Sequence, residues 1–149
     1  MNLDFVLLAD AAVADAAGKV TIRGGGVTHV AAPKLPFSLP SIAIVARFFI
    51  ERADLSVEQS LTLRVRDPEG AELLAVRGPV TPPVAGWPVR EAHAGEDATL
   101  VVVATLSGIE FEREGQHTFE TLLNDDLLVT RNVVVFLEQN EQEKRLGSS

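Results

Sequence analysis

The sequence predicts an all-β fold, an antiparallel β-sandwich that is immunoglobulin-like or related, with roughly seven to nine strands. Apolar and polar residues alternate with a period of two along most of the chain, and a helical period of 3.6 is nearly absent. Turn-forming residues separate short apolar runs. We therefore expect a single sandwich domain over residues 1–137, followed by a polar and flexible C-terminal tail over residues 138–149.

The N-terminal part predicts strands on both sides of a glycine triplet. A first strand is expected over residues 3–9, and the alanine-rich stretch after it ends in a turn at Gly18-Lys19. A strand from Val20 leads to the triplet at residues 24–26, and β-branched residues resume at Val27. Three prolines between residues 33 and 40 predict a loop, because proline cannot donate to a central ladder.

The remaining strands follow from burial patterns and turns. Residues 41–50 are rich in Ile, Val and Phe and predict a central strand buried on both faces. Residues 61–66 alternate between apolar and polar side chains, and the tetrapeptide Asp-Pro-Glu-Gly after them predicts a hairpin whose second arm runs over residues 71–80. Later strands are expected over residues 100–106 and in two final runs joined at residues 124–126.

Composition excludes several classes of function. The chain has 149 residues, a net charge of −8 and no cysteine. The acidic balance argues against a nucleic-acid partner and against attachment to an anionic membrane. The lack of cysteine removes disulfides, zinc–thiolate sites and thiol nucleophiles. The apolar N-terminus lacks a basic n-region and contains Asp4 and Asp10, so we expect a cytoplasmic protein without a signal peptide.

The triplet Gly24-Gly25-Gly26 raises the question of a phosphate-binding loop. A dinucleotide fingerprint requires a third glycine where His29 stands and a helix directly after it. Here β-branched residues and prolines follow instead. The triplet therefore predicts a bulge or a tight link between strands, and no cofactor is expected.

The three histidines do not indicate a catalytic centre. His29, His93 and His117 match no metal-ligand spacing, and the chain has no G-x-S-x-G nucleophile motif. His117 lies two positions before Phe119, where a corner residue that hydrogen-bonds to backbone is expected in a sandwich. We expect a protein that is not an enzyme.

Acidic residues at strand ends leave open a calcium site. If strands alternate in direction, several loops share one end of the sandwich and form an acidic rim there, with Asp10, Asp97, Asp125 and Asp126 as the candidate ligands. The alternative is a solvated rim, because loop tips are polar and aspartate favours turns.

Trp87 is the only tryptophan, and it lies between Gly86 and Pro88 in the longest stretch without strand character. An exposed tryptophan on a loop would anchor a protein partner, whereas a folded-back one would cover a sheet edge. Packing is the favoured interpretation, since large aromatic side chains are usually mostly buried.

The N-terminal sequence resembles a family of small bacterial proteins of unknown function, whose chains open with D-[FY]-x-x-L-A-D-x-A, then G-K, then a glycine-rich strand. Asp4-Phe5, Ala9-Asp10, Gly18-Lys19 and the triplet match in order. The likeness continues to about Leu137, although His117 stands where the family has a tyrosine-like residue. The resemblance implies a compact β-sandwich and brings no catalytic residues.

The sequence thus favours a non-catalytic module that binds another protein or associates with itself. A strand edge such as that of residues 3–9 could pair with another chain by β-augmentation. The alternative is a calcium- or small-ligand-binding domain that uses the acidic rim.

Overall fold

The computed structural model describes residues 1–51, 57–80, 89–90 and 98–138, and in these residues it confirms the predicted all-β sandwich. Within this part of the chain, no helix has the length and apolarity needed to cross a membrane. Twelve strands are described: β1 (Asn2–Ala14), β2 (Val20–Gly25), β3 (His29–Ala32), β4 (Phe37–Leu39), β5 (Ile42–Ile50), β6 (Gln59–Arg66), β7 (Glu72–Val80), β8 (Val89–Arg90), β9 (Ala98–Leu106), β10 (Ile109–Phe111), β11 (Gly115–Leu123) and β12 (Asp126–Leu137).

The first sheet has the order β2-β1-β5-β9-β8, and every pairing in it is antiparallel. Strand β5 lies at its centre, and seven of its nine residues are buried. A strand with neighbours on both sides and covered faces needs apolar residues at nearly every position. The predicted central strand over residues 41–50 is therefore confirmed.

The second sheet has the order β3-β12-β11-β6-β7. Its pairings are antiparallel except that β3 runs parallel to β12. Strand β6 alternates strictly between buried and half-buried residues, as its sequence predicts. In the β6–β7 turn the Asp67 carboxylate accepts backbone hydrogen bonds from Glu69 and Ala71, both at 2.9 Å, which fixes the tight turn.

The hydrophobic core lies between the inner faces of the two sheets. Strands β5, β6 and β9 contribute alternate side chains to it, as expected when two pleated sheets pack face to face. Its fully buried members include Phe48, Ile50, Val65, Leu100, Phe111, Val133 and Val135.

Three expectations about individual elements need correction. There are more strands than the predicted seven to nine. The first strand extends to Ala14 rather than ending at Ala9, because β2 pairs with its alanine-rich second half. The predicted proline-rich loop contains the short strand β4, which pairs with β10. A strand is possible there because Pro36 and Pro40 lie on either side of it and not within it.

The glycine triplet carries the chain from the first sheet to the second. Gly24 and Gly26 have φ angles of +62° and +81°, a region that glycine enters without steric cost. The Gly26 and Val27 amides both donate to the Leu8 carbonyl, at 2.7 Å and 3.0 Å, which holds the crossing against β1. The triplet therefore links β2 to β3 and opens no helix.

Candidate functional site

The structure separates the predicted acidic candidates. Asp10 and His29 line one cavity, and His29 pairs with Val134 on β12. Asp125 and Asp126 lie at the opposite end of β12, where the β11–β12 turn is formed. Eight residues of extended strand separate Val134 from Asp126, a span of roughly 26 Å. Asp97, Trp87 and His93 lie outside the described residues.

No metal-binding cluster joins the candidates that are described. Over residues 1–51, 57–80 and 98–138, no three side chains of the His, Cys, Asp and Glu types come together. Asp125 instead pairs with Arg77 at 3.1 Å in an exposed position. The acidic rim expected from alternating strand directions does not unite Asp10 with the Asp125–Asp126 pair.

An open cavity of about 200 Å³ lies between the sheets at the end where the glycine triplet crosses. Its lining combines an apolar floor with three polar groups. The lining residues are Asp10, Val27, His29, Val30, Leu39, Ser41 and Ile42. The volume is below the several hundred Å³ of a drug-sized ligand site, so the cavity suits only a very small molecule or a single side chain.

Asp10 is an exposed residue on the lining of this open cavity. It follows Val6 and Leu8 in the inward-facing row of β1, and both of those residues are in the core. Gly24 lies across from it, and a Cβ at Gly24 would overlap the Asp10 carboxylate. Among the described residues, no donor forms a hydrogen bond or ion pair with this carboxylate. Because Asp10 is an exposed residue, water solvates this carboxylate, and the lack of a protein partner does not mark it as a binding group.

His29 is held at the mouth of the same cavity. Its Nδ1 lies 2.9 Å from Thr28 Oγ1, and its ring meets the Phe136 ring edge-on at 6.3 Å. These two contacts fix the plane of the imidazole. When Nδ1–H donates to the Thr28 hydroxyl, Nε2 carries a lone pair and accepts hydrogen bonds.

A second feature is the side of the sandwich on which the sheet edges remain open. Strand β2 pairs with β1 only from Ala9 onward, and β3 pairs with β12 only from Val134 onward. Among the described strands, none covers the outer edge of residues 2–7 on β1 or of residues 126–133 on β12. Uncovered edges expose backbone donors and acceptors to pairing with another strand.

Arg131 bridges the two sheets on this open side. It lies in the inward-facing row of β12, next to the buried Val133. Its Nε donates to the Val6 carbonyl of β1 at 3.0 Å, and its Nη1 donates to the Thr130 carbonyl at 3.4 Å. The β1 edge predicted to accept a partner strand is thus partly occupied by this side chain.

The open part of β12 has the features of a pairing edge. Leu127 and Leu128 are 53% and 38% exposed beside it. The other outer strand of the second sheet, β7, contains Pro79, and proline on an edge discourages pairing. Strand β12 contains no proline.

His117 is a structural residue. It is fully buried, and its Nδ1 lies 3.0 Å from the Gly115 carbonyl. Its ring packs edge-on against Phe111 with centroids 4.8 Å apart. The hydrogen bond to nearby backbone is the corner role that the sequence predicts, and burial removes this imidazole from any solvent-exposed site.

Sequence patterns alone indicate neither the cavity nor the open edge. Both depend on where β3 pairs, and β3 and β12 lie about a hundred residues apart in the chain. One local signal was available: Asp10 continues the alternation of Val6 and Leu8, so an extended first strand places it on the same face of the strand as those residues, where it is nevertheless exposed.

No curated protein matches the chain. A family model matches residues 4–136, which include all of the strands except the ends of β1 and β12. The chain therefore belongs to DUF6941, a family of unknown function.

Proposed function

We propose that this protein is a non-catalytic, self-associating β-sandwich module in which two copies pair the open edges of their β12 strands. The observation that carries the proposal is the direction of the backbone groups of Thr130 and Asn132. The Val134 amide donates to the Thr28 carbonyl, so Val134 directs its peptide groups away from β11. No register shift occurs between Val129 and Val135, so Thr130 and Asn132 face the same way.

The open edge of β12 is suited to antiparallel pairing with the same edge of a second copy of the chain. Two antiparallel copies of one strand are related by a two-fold axis, which is the commonest symmetry of soluble homodimers. With Thr130 opposite its counterpart, the ladder covers about residues 127–133 and ends where β3 begins to cover Val134. Leu127 and Leu128 lie at one end of that ladder, where association would remove apolar surface from water.

Charge sets the conditions for association. Each copy carries a net charge of −8, so two copies repel each other at low ionic strength. Screening at physiological salt shortens the range of this repulsion to about 8 Å. We therefore expect self-association to strengthen with added salt.

Multi-angle light scattering over a wide range of protein concentrations tests the proposal. Thr130→Pro removes one outward-facing amide and leaves the β11–β12 ladder bonds in place. Thr130→Ala retains that amide and is the matched control. We expect dimers for the wild type and for Thr130→Ala, and monomers for Thr130→Pro with an unchanged circular dichroism spectrum.

A second variant tests the same edge without introducing a proline. Leu128→Lys places a charge beside the edge, and we expect it to weaken association at least tenfold while the fold is retained. A wild-type protein that stays monomeric at high concentration and in high salt would contradict the proposal. So would equal association of all four proteins.

A bacterial cytoplasm is the location that we infer together with this function. A chain without cysteine needs no oxidising compartment for its stability. Fractionation of a bacterial host that expresses the chain tests the location, with recovery in the cytoplasmic fraction expected.

A further inference from the structure

We propose that Arg131 closes the open edge of β1 to strand pairing and thereby directs association to β12. The structure leaves an edge of each sheet open on the same side of the sandwich, among the strands that it describes. A residue that closes one of these edges determines which surface meets a second copy. The inference deepens the proposed function and rests on it for the identity of the edge that pairs.

Val6 carries outward-facing peptide groups on the open part of β1. The Leu8 carbonyl points away from β5, since it accepts hydrogen bonds from the amides of residues 26 and 27. The pairing of β1 with β5 has no register shift over residues 5–9, and the peptide groups of a strand alternate in direction with a period of two. The amide and the carbonyl of Val6 therefore point to the open side of the sandwich.

Arg131 occupies this outward carbonyl. Its Nε donates to the Val6 carbonyl at 3.0 Å, and a hydrogen bond from a charged donor is stronger than one from a neutral donor. A strand that paired with β1 at Val6 would have to displace this bond and cover a charged side chain. Inward-pointing charged side chains are one means by which proteins protect edge strands from pairing.

A bulge in β1 shortens the same edge but does not close it. The register of β1 against β5 shifts between Leu3 and Phe5. Bulges twist an edge away from a partner strand, so the bulge limits regular pairing on its N-terminal side. It leaves the peptide groups of Val6 uncovered. Closure of this edge therefore depends on Arg131.

The same side chain obstructs β12 much less. The bond from Nη1 to the Thr130 carbonyl is long, at 3.4 Å, and a carbonyl oxygen has a second lone pair. A guanidinium has no acceptor, so it cannot occupy the outward amides of Thr130 and Asn132. Arg131 thus closes the edge of β1 and leaves the donors of β12 available.

Arg131 variants made in the Thr130→Pro background test the proposal by light scattering. Thr130→Pro removes an outward amide at the centre of the β12 ladder, so association in this background reports on another edge. We expect monomers for Thr130→Pro alone and dimers for Thr130→Pro/Arg131→Ala. Thr130→Pro/Arg131→Lys retains a charged donor at this position and should stay monomeric.

Amide hydrogen exchange identifies the edge that pairs. In Thr130→Pro/Arg131→Ala the Val6 amide should exchange at least tenfold more slowly at high than at low protein concentration. The single variant Arg131→Ala should show the same dependence, which provides the test if the double variant does not fold. In the wild type the exchange of the Val6 amide should not depend on concentration.

Two results would overturn closure of β1 by Arg131 without affecting the proposed function. The first is a folded Thr130→Pro/Arg131→Ala that remains monomeric up to about 1 mM, a range that already covers weak association. The second is a Val6 amide whose exchange depends on concentration equally in the wild type and in Arg131→Ala. A monomeric wild type would instead contradict the proposed function, and association of Thr130→Pro/Arg131→Ala would still show that Arg131 closes β1.

Discussion

Arg131 on β12 donates a hydrogen bond from Nε to the backbone carbonyl of Val6 on β1, at 3.0 Å. This bond joins the two sheets on the side where neither β2 nor β3 covers the edges. It also occupies one of the acceptors on the open part of β1. On β12 the same side chain donates from Nη1 to the Thr130 carbonyl at 3.4 Å, so the outward groups of β12 that no described residue occupies are the amides of Thr130 and Asn132.

Replacement of Arg131 by alanine should destabilise the fold. A hydrogen bond from a charged donor contributes about 1.5–3 kcal/mol, so we expect Arg131→Ala to lower the free energy of unfolding by about 1–2 kcal/mol, given its partial exposure. Urea denaturation measures the change. Arg23→Ala, at an exposed position on β2, is the control and should change stability by less than about 0.5 kcal/mol. Equal effects of the two substitutions would show that the bond to Val6 contributes nothing.

Alanine at Gly24 should cost more stability than alanine at Gly26. Both glycines have positive φ, which costs roughly 1 kcal/mol for a residue with a side chain. Only at Gly24 does the added Cβ also overlap the Asp10 carboxylate, whereas no atom lies within 4 Å of a Cβ at Gly26. Thermal unfolding of both variants measures the difference.

A double-mutant cycle isolates this overlap. In the Asp10→Ala background, Gly24→Ala should destabilise the protein no more than Gly26→Ala does, because only the cost of the positive φ remains. Additive effects of Asp10→Ala and Gly24→Ala would contradict the close approach of these two residues.

The β11–β12 turn should accept a stabilising glycine. Asn124 and Asp125 have φ angles of 51° and 69°, as both central residues of a type I′ turn require. Because glycine is the preferred second residue of this turn, Asp125→Gly should raise the free energy of unfolding by about 0.5 kcal/mol. The exposed pair with Arg77 that is lost contributes little. Asp126→Gly, inside β12, should instead destabilise the protein in the same denaturation experiment.

Glu120 should make stability fall in acid. Hydrogen bonds from Arg64 at 2.9 Å and Arg66 at 2.7 Å keep the pKa of the Glu120 carboxyl below its ordinary range, with the bond from Arg64 as the largest cause. A carboxyl group whose pKa is lower in the folded than in the unfolded chain stabilises the fold at pH values above its unfolded pKa, which is near 4.3. This stabilisation is lost as the pH falls through the folded value.

The comparison with Glu120→Gln measures this contribution. At neutral pH the variant should be less stable than the wild type by about 1 kcal/mol, and the difference should shrink below about pH 4. Glu58→Gln, at an exposed site before β6, should show no such dependence. A difference that is constant with pH would exclude the ionised carboxylate as its cause.

Local sequence patterns were sufficient to predict the strands whose covered faces are reflected directly in the order of apolar and polar residues. The alternation along β6 and the apolar content of β5 report directly which faces are covered, so both strands and the sandwich class are confirmed. Strand β4 was missed because its three residues stand between prolines that indicate a loop. The end of β1 was missed because alanine and aspartate disfavour strands unless a partner such as β2 supplies the ladder.

The candidate sites depend on long-range pairing, which a local pattern does not contain. Asp10 was predicted to be a surface acid at a strand end, and it is exposed, but it lies within β1 because that strand continues to Ala14. Of the calcium-rim candidates, Asp10 and Asp126 are not brought together, because Asp10 lies beside His29 near Val134 while Asp126 begins β12 at its other end; Asp97 lies outside the described residues. The edge at Thr130 is open because β3 begins only at His29, which pairs with Val134.

Amide hydrogen exchange along β12, measured at several protein concentrations, tests the open pairing edge most directly. In dilute solution we expect the amides of Thr130 and Asn132 to exchange rapidly while those of Arg131 and Val133 are protected by β11. At high concentration the amides of Thr130 and Asn132 should become protected, and those of Arg131 and Val133 should change little. Protection of all four amides in dilute solution, or exchange of Thr130 and Asn132 that does not depend on concentration, would contradict the account.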